Sequence, residues 1–171
     1  MSFVEELAAA EIGTTFNFYR VGPRANLLRR RLADYLEGRR DAPLLLVGEA
    51  PGYRGARISG IPFTSERLVT GSGPAEATAT IVRATLFELG LEEQTLCWNV
   101  VPTHPGTPSS NRPPTKAEVA AGARFLARLI EDRRVVAVGR LAESVTGATY
   151  VRHPSHGGAT AFRETLRGCL S

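Results

Sequence analysis

The chain has 171 residues, of which 43% are hydrophobic, so its length and composition predict one compact domain with an ample core rather than two domains. Its two cysteines lie far apart without a Cys-x-x-Cys spacing, so we expect a cytoplasmic protein with no cofactor. No apolar run reaches the roughly 18 residues of a membrane span, so we expect no membrane contact. The net charge is +4 and Lys116 is the only lysine among 21 basic residues, so nearly all are arginines, whose forked donors suit phosphate and favour a nucleic-acid partner.

Hydrophobic patterning predicts that strands and helices alternate along the chain. Strands are expected at residues 44–47, 95–101, 135–138 and 148–152, because these runs are short, apolar and bounded by turn residues. Helices are expected at residues 25–37, 74–90, 115–131, 141–146 and 159–167, and Thr115 and Glu118 predict a capping box for the third. The segment 102–114 holds five prolines and is expected to be irregular. This order predicts a single α/β domain over residues 1–171, with a parallel sheet of about four strands and helices on both faces.

Three loops should meet at the carboxyl edge of this sheet, where open α/β sheets bind ligands. They are residues 48–65, 99–114 and 153–158. The first opens with Gly48-Glu49-Ala50-Pro51-Gly52, in which glycine and proline let the backbone approach a ligand along a fixed path and Glu49 supplies an acid. The three histidines of the chain, His104, His153 and His156, all fall in the second and third loops. Together the loops predict one ligand pocket.

The same loops resemble the motifs of the uracil-DNA glycosylase superfamily, and the resemblance covers nearly the whole chain. It rests on Gly48-Glu49-Ala50-Pro51-Gly52 with Pro62-Phe63 downstream, on Asn99-Val100-Val101 at a strand end, and on His153-Pro154-Ser155, in the family's order. The first motif is closest to bacterial branches that often carry an iron–sulfur cluster, whose cysteines are lacking here. The resemblance implies a cluster-free, monofunctional and monomeric DNA glycosylase of base excision repair, which flips a damaged base out of DNA and hydrolyses its N-glycosidic bond.

The resemblance also implies a role for individual side chains. Phe63 would stack on the flipped base, and Asn99 would read the uracil edge, because a carboxamide offers both a donor and an acceptor. His153 would donate to a uracil oxygen as the base departs, and Glu49 would position water or counter the developing sugar cation. The remaining base-binding positions are Gly48, Ala50 and Gly52.

Three positions depart from the better-known branches. Ala50 stands where one branch has the aspartate that orients the attacking water, so Glu49 would either substitute for it or only bind the base or hold the loop. Gly52 stands where the strictly uracil-specific branch has a tyrosine that excludes a 5-methyl group, which admits mismatched thymine or damaged pyrimidines as substrates. His156 and two glycines replace an aliphatic wedge, so base flipping would rely on weakened pairs or single strands.

DNA backbone contacts are expected from the residues around the third loop and from the proline-rich segment. The candidates are Arg112, Arg152, Ser155, His156 and Gly157. Two other functions stay open. One is a damaged-base binding protein that has lost cleavage, suggested by Ala50. The other is an unrelated α/β enzyme acting on nucleotides or phosphoesters, although the chain has neither a Gly-Lys-Ser/Thr P-loop nor clustered metal-binding acids.

Overall fold

The computed structural model describes residues 1–170, which contain six strands and eight helices. The strands are β1 Leu44–Gly48, β2 Thr95–Asn99, β3 Gly106–Thr107, β4 Ser110–Asn111, β5 Arg134–Val138 and β6 Thr149–Val151. The helices are α1 Phe3–Ala9, α2 Ala25–Gly38, α3 Ala56–Ser59, α4 Glu66–Thr70, α5 Ala77–Glu88, α6 Lys116–Ile130, α7 Arg140–Thr146 and α8 Ala159–Leu170. None of these helices is long and apolar enough to cross a lipid bilayer.

Four strands form one parallel sheet in the order β2-β1-β5-β6, which confirms the predicted α/β class. The faces of the sheet are buried in two separate cores. Leu45 and Val47 of β1 pack with α1, α2 and α6, whereas Leu44 and Leu46 pack with α5 and α8. Because side chains alternate along a strand, a run that is apolar at every position is what a sheet covered on both faces requires.

The structure corrects several predicted boundaries. Strand β2 ends at Asn99 rather than Val101, although the amides of Val100 and Val101 still donate to the carbonyls of Gly48 and Glu49, at 2.8 and 3.0 Å. Helix α5 starts at Ala77 rather than at residue 74, because the backbone just before it is extended. The short helices α1, α3 and α4, of seven, four and five residues, were not predicted.

The proline-rich segment is more regular than predicted. Strands β3 and β4 pair in an antiparallel ribbon, with Gly106 opposite Asn111 and Thr107 opposite Ser110. Prolines flank these four positions without occupying them, so each keeps its backbone N–H. The ribbon then lies against the first loop, because the amide of Tyr53 donates to Asn111 Oδ1 at 2.9 Å.

Glu118 holds the far end of this segment. The predicted capping box with Thr115 is present, and the same carboxylate also accepts two hydrogen bonds from Arg112, at 2.7 and 2.8 Å, and one from the amide of Thr14 at 3.3 Å. Its side chain is 1% exposed. The Arg112 guanidinium is the main reason that the pKa of Glu118 falls to about 2. One buried carboxylate therefore ties the amino-terminal segment and the proline-rich segment to the start of α6.

We expect Arg112→Met to lower the free energy of unfolding at neutral pH by about 3 kcal/mol, because Glu118 would remain buried without its cation. A carboxyl whose pKa is lowered in the folded state stabilises the protein above its unfolded pKa, and this stabilisation is lost as the pH falls towards 2. Urea unfolding should therefore show the difference between wild type and variant shrinking in acid. The control is Arg20→Met, whose ion pair with Glu11 is exposed and should contribute about 1 kcal/mol or less. Equal losses of stability in the two variants would show that the Arg112–Glu118 ion pair contributes no more than an exposed one.

Candidate active site

A cavity of about 520 Å³ lies at the carboxyl edge of the parallel sheet. Every strand of the sheet leads a residue to it: Glu49 follows β1, Asn99 ends β2, Gly139 follows β5, and His153 follows β6. The three loops expected to converge thus surround one space. The candidate residues that line it are Glu49, Ala50, Gly52, Phe63, Asn99, Arg112, His153, Ser155 and His156.

Gly48 lies beneath the cavity rather than on its surface. It is paired with Asn99 in the β1–β2 register, and an ideal Cβ on Gly48 would lie 2.3 Å from Phe63 Cζ and 3.0 Å from Asn99 Oδ1. No real Cβ approaches an atom at 2.3 Å, so any side chain here would displace the ring. Glycine at position 48 is therefore what allows the Phe63 ring and the Asn99 carboxamide to meet over the strand end.

The carboxamide of Asn99 is prepared for a ligand. The residue is 4% exposed, yet within residues 1–170 no protein group makes a hydrogen bond to its side chain. Because Asn99 lines the cavity, its donor and acceptor are free for a group that enters from outside the chain, either water or a ligand. Such a partner must present both an acceptor and a donor to use the whole group.

His153 is half-buried, and its hydrogen bonds define its tautomer. The amide of Ser155 donates to Nδ1 at 3.1 Å, and the Ser155 hydroxyl lies 2.8 Å from the same nitrogen. Because a backbone N–H can only donate, Nδ1 is the acceptor and the proton of the neutral ring sits on Nε2. Burial, together with the nearby His156, lowers the pKa of His153 and keeps this neutral form. The ring thus presents an N–H donor on a residue that lines the cavity.

Glu49 and Ala50 both line the cavity, but only Glu49 carries a carboxylate. Glu49 is exposed where it lines the cavity, and partial burial against the wall raises the pKa of its carboxyl above 4.5. None of the side chains in the described part of the chain forms an ion pair with it. Ala50 contributes only a methyl group to the lining, so a carboxylate for chemistry has to come from elsewhere.

A second carboxylate in the cavity was not foreseen from the sequence. Glu76 lines the cavity from the residue just before α5, and burial raises its pKa. An ideal Cβ on Gly52 would lie 2.0 Å from Glu76 Oε1, and one on Gly55 would lie 2.3 Å from Oε2. The space over Gly52, expected to be open to a methyl group, is therefore filled by this carboxylate. The glycine pair was the available signal, but Glu76 was assigned to the predicted helix that started at residue 74.

The candidate DNA contacts fall into two groups. Ser155 and His156 line the cavity, and His156 is exposed with a positive φ of 52°. Arg152 and Gly157 are exposed and lie outside the lining. Arg112 lines the cavity, but two of its nitrogens already bond to Glu118, so it serves first to hold the fold.

His104 supports the first loop from below. It is fully buried, and its ring nitrogens lie 2.8 Å from the carbonyl oxygens of Pro51 and Thr107. His104 does not line the cavity. Its two ring contacts join the first loop to the ribbon of β3 and β4. Among residues 1–170 no group of three or more His, Cys, Asp or Glu side chains is arranged to hold a metal ion.

The model of the uracil DNA glycosylase superfamily matches residues 36–166, which is more than half of the chain and includes all three loops. Among solved structures, wild-type SMUG2 of Pedobacter heparinus has a TM-score of 0.65 and 15% sequence identity, with 99% of this chain and 97% of that chain covered. At this identity the likeness concerns the fold. No curated protein sequence matches the chain. From the family match, the chain belongs to the uracil DNA glycosylase superfamily.

Proposed function

We propose that this protein is a monofunctional DNA glycosylase that excises uracil, or a related deaminated or mismatched base, from DNA by hydrolysing the N-glycosidic bond. Membership of the superfamily supports glycosylase-type chemistry on DNA. The observation that carries the more specific proposal is the meeting of Phe63, Asn99 and His153 around one cavity. The protein would act on a flipped base as a cytoplasmic monomer and without a cofactor.

Recognition of the base follows from two of these side chains. Phe63 is 8% exposed, and its ring lies beside the Asn99 carboxamide over Gly48. A base that stacks on this ring can place its polar edge against Asn99, whose N–H donates to a carbonyl oxygen and whose oxygen accepts from a ring N–H. Because the Asn99 carboxamide has no partner within residues 1–170, binding the matching edge satisfies it, whereas a mismatched edge displaces cavity water and leaves it unpaired.

Departure of the base is assigned to His153. As the glycosidic bond breaks, its electron pair moves to the base and negative charge builds on the uracil oxygens. The Nε2–H of neutral His153 is a fixed donor for that charge, so it stabilises the transition state more than the substrate. Because His153 donates a hydrogen bond and keeps its proton, the imidazole is still neutral after the anionic base departs.

The sugar becomes cationic in the same step and must then be attacked by water. We assign this side of the reaction to Glu49, which lies directly after β1 and carries no partner that would neutralise it. A carboxylate can counter an oxocarbenium-like centre and take a proton from water. Only its ionised form can do either.

A damaged-base binding protein of the same fold is the second candidate function, and the observation that favours it is the methyl group of Ala50 in the cavity lining. The two functions differ in product. A glycosylase leaves an abasic site, which alkali converts into a strand break, whereas a binding protein retains the intact oligonucleotide.

We expect His153→Ala and Asn99→Ala each to lower kcat on a uracil-containing oligonucleotide by about 10²–10³-fold, because each removes a hydrogen bond to the reacting base. Single-turnover assays of abasic product measure this. The matched control is Asn26→Ala, an exposed asparagine on α2, which should behave as wild type. Wild-type rates in His153→Ala would remove His153 from the mechanism. Tight binding by the wild type without abasic product would select the binding protein.

The pH dependence of kcat should identify Glu49. Because its pKa is raised above 4.5 and the ionised form acts, kcat should rise with pH through a midpoint above 4.5. Glu49→Gln should lower kcat and remove this acid limb, as measured by single-turnover rates across the pH range. An unchanged limb in Glu49→Gln would show that another group titrates.

Glu76 should control access of a 5-methyl group. Removing the carboxylate in Glu76→Ala frees the space over Gly52, so kcat/KM for mismatched thymine relative to uracil should rise by about tenfold, the usual effect of one methyl group in a pocket. Glu76→Gln keeps the volume and is the matched control, with a ratio close to that of wild type. Uracil excision by Glu76→Ala at the wild-type rate, with thymine excision unchanged, would contradict this role.

A further inference from the structure

Arg83, on the inner side of α5, binds the backbone that carries the candidate stacking ring. Its Nη2 donates to the carbonyl of Pro62 at 3.0 Å, and its Nε donates to the carbonyl of Phe63 at 3.1 Å. Both nitrogens also reach the hydroxyl of Thr64, at 2.6 and 3.1 Å. One guanidinium therefore contacts three consecutive residues of the first loop.

Arg83 is a partly buried cation that has no ion-pair partner in the described part of the chain. Its acceptors are two carbonyls and a hydroxyl. On its other side the guanidinium lies 5.6 Å from the centre of the Tyr35 ring, whose hydroxyl accepts the amide of Cys97 in β2 at 2.8 Å. Partial burial of a cation without an ion pair costs free energy, and the hydrogen bonds of Arg83 offset this cost.

What these hydrogen bonds hold is a strained conformation. Phe63 has a φ of 51°, in the left-handed region, which a bulky side chain adopts only when its surroundings impose it. The dihedral angles of Phe63 describe the rotation between its two flanking peptide planes. One plane carries the carbonyl of Pro62 and the other carries the carbonyl of Phe63, and Arg83 holds both.

We propose that Arg83 is a positioning residue for base stacking. Its fork holds Phe63 in the left-handed conformation, which directs the ring over Gly48 to the side of Asn99. Arg83 does not line the cavity and would not touch the substrate. The inference rests on the proposed function, in which Phe63 is the surface that receives the base.

Binding the two carbonyls requires the two donor nitrogens of a planar guanidinium, and a positive charge alone is not sufficient. Lysine has a single ammonium group that cannot bridge two carbonyls in a fixed plane. Arg83→Lys and Arg83→Met should therefore both release Phe63 from its positive φ. We expect kcat/KM on a uracil-containing oligonucleotide to fall by about tenfold or more in each variant, as stacking on an aromatic side chain is lost. Full activity in Arg83→Lys would overturn the proposal.

A double-mutant cycle with Phe63→Ala separates positioning from general damage. If Arg83 acts through Phe63, Arg83→Met should cost about tenfold in the wild-type background and less than about twofold in the Phe63→Ala background. Equal losses in both backgrounds would overturn the proposal. The stability control is Leu32→Ala, a buried residue of α2 outside the cavity lining, which should lower the melting temperature and leave kcat/KM unchanged while the protein is folded.

A crystal structure of Arg83→Met tests, without an activity assay, whether Arg83 holds Phe63 in its conformation. A negative φ at Phe63 with a displaced ring supports the proposal, and an unmoved Phe63 with positive φ overturns it. If the wild type excises no base from any oligonucleotide, the proposed function fails, whereas the crystal structure still decides whether Arg83 sets the position of Phe63.

Discussion

The site depends on the pairing of β1 with β2, and in particular on the register that sets Gly48 opposite Asn99. The amides of Val100 and Val101 extend this pairing beyond the strands and fix the start of the first loop. A slip of one residue would turn every side chain of β2 to the other face of the sheet, and Asn99 would no longer lie beside the ring of Phe63. The buried runs of the two strands, which pack into two different cores, are what hold the register.

The charged side chains that line the cavity differ in whether they have ion-pair partners. The two arginines that line the cavity already have carboxylate partners: Arg112 is paired with Glu118, and Arg140 is paired with Glu143 at 2.7 Å. The two cavity carboxylates, by contrast, have no cationic partner among residues 1–170. This balance is compatible with the proposed reaction, in which the sugar becomes positive and the neutral imidazole of His153 would face the negative charge of the departing base. Burial raises the pKa values of Glu49 and Glu76, and no cation pairs with either carboxylate to offset this effect.

The parts of the fold that could be predicted are those with local signals. Short apolar runs bounded by glycine or proline identified all four strands of the parallel sheet, and Thr115 with Glu118 identified the start of α6. The residues that were missed depend on contacts between distant segments. Arg83 reads as one more arginine on a helix, and nothing near it in the sequence indicates that it binds residues 62–64. Glu76 likewise acquires its place only because Gly52 and Gly55 fold beneath it.

The contact of Glu76 with two glycines constrains how this pocket can diverge. A Cβ at position 52 or 55 would lie 2.0 or 2.3 Å from a Glu76 carboxylate oxygen, so a side chain there requires that carboxylate to turn aside, whereas shortening residue 76 requires no such movement. The effect of a substitution at position 52 or 55 therefore depends on residue 76, because the first loop accommodates bulk at less cost once that side chain is shorter. In a lineage or in a library, variants at positions 52 and 55 should be recovered more often on backgrounds that have lost the glutamate, which is epistasis among three packed residues.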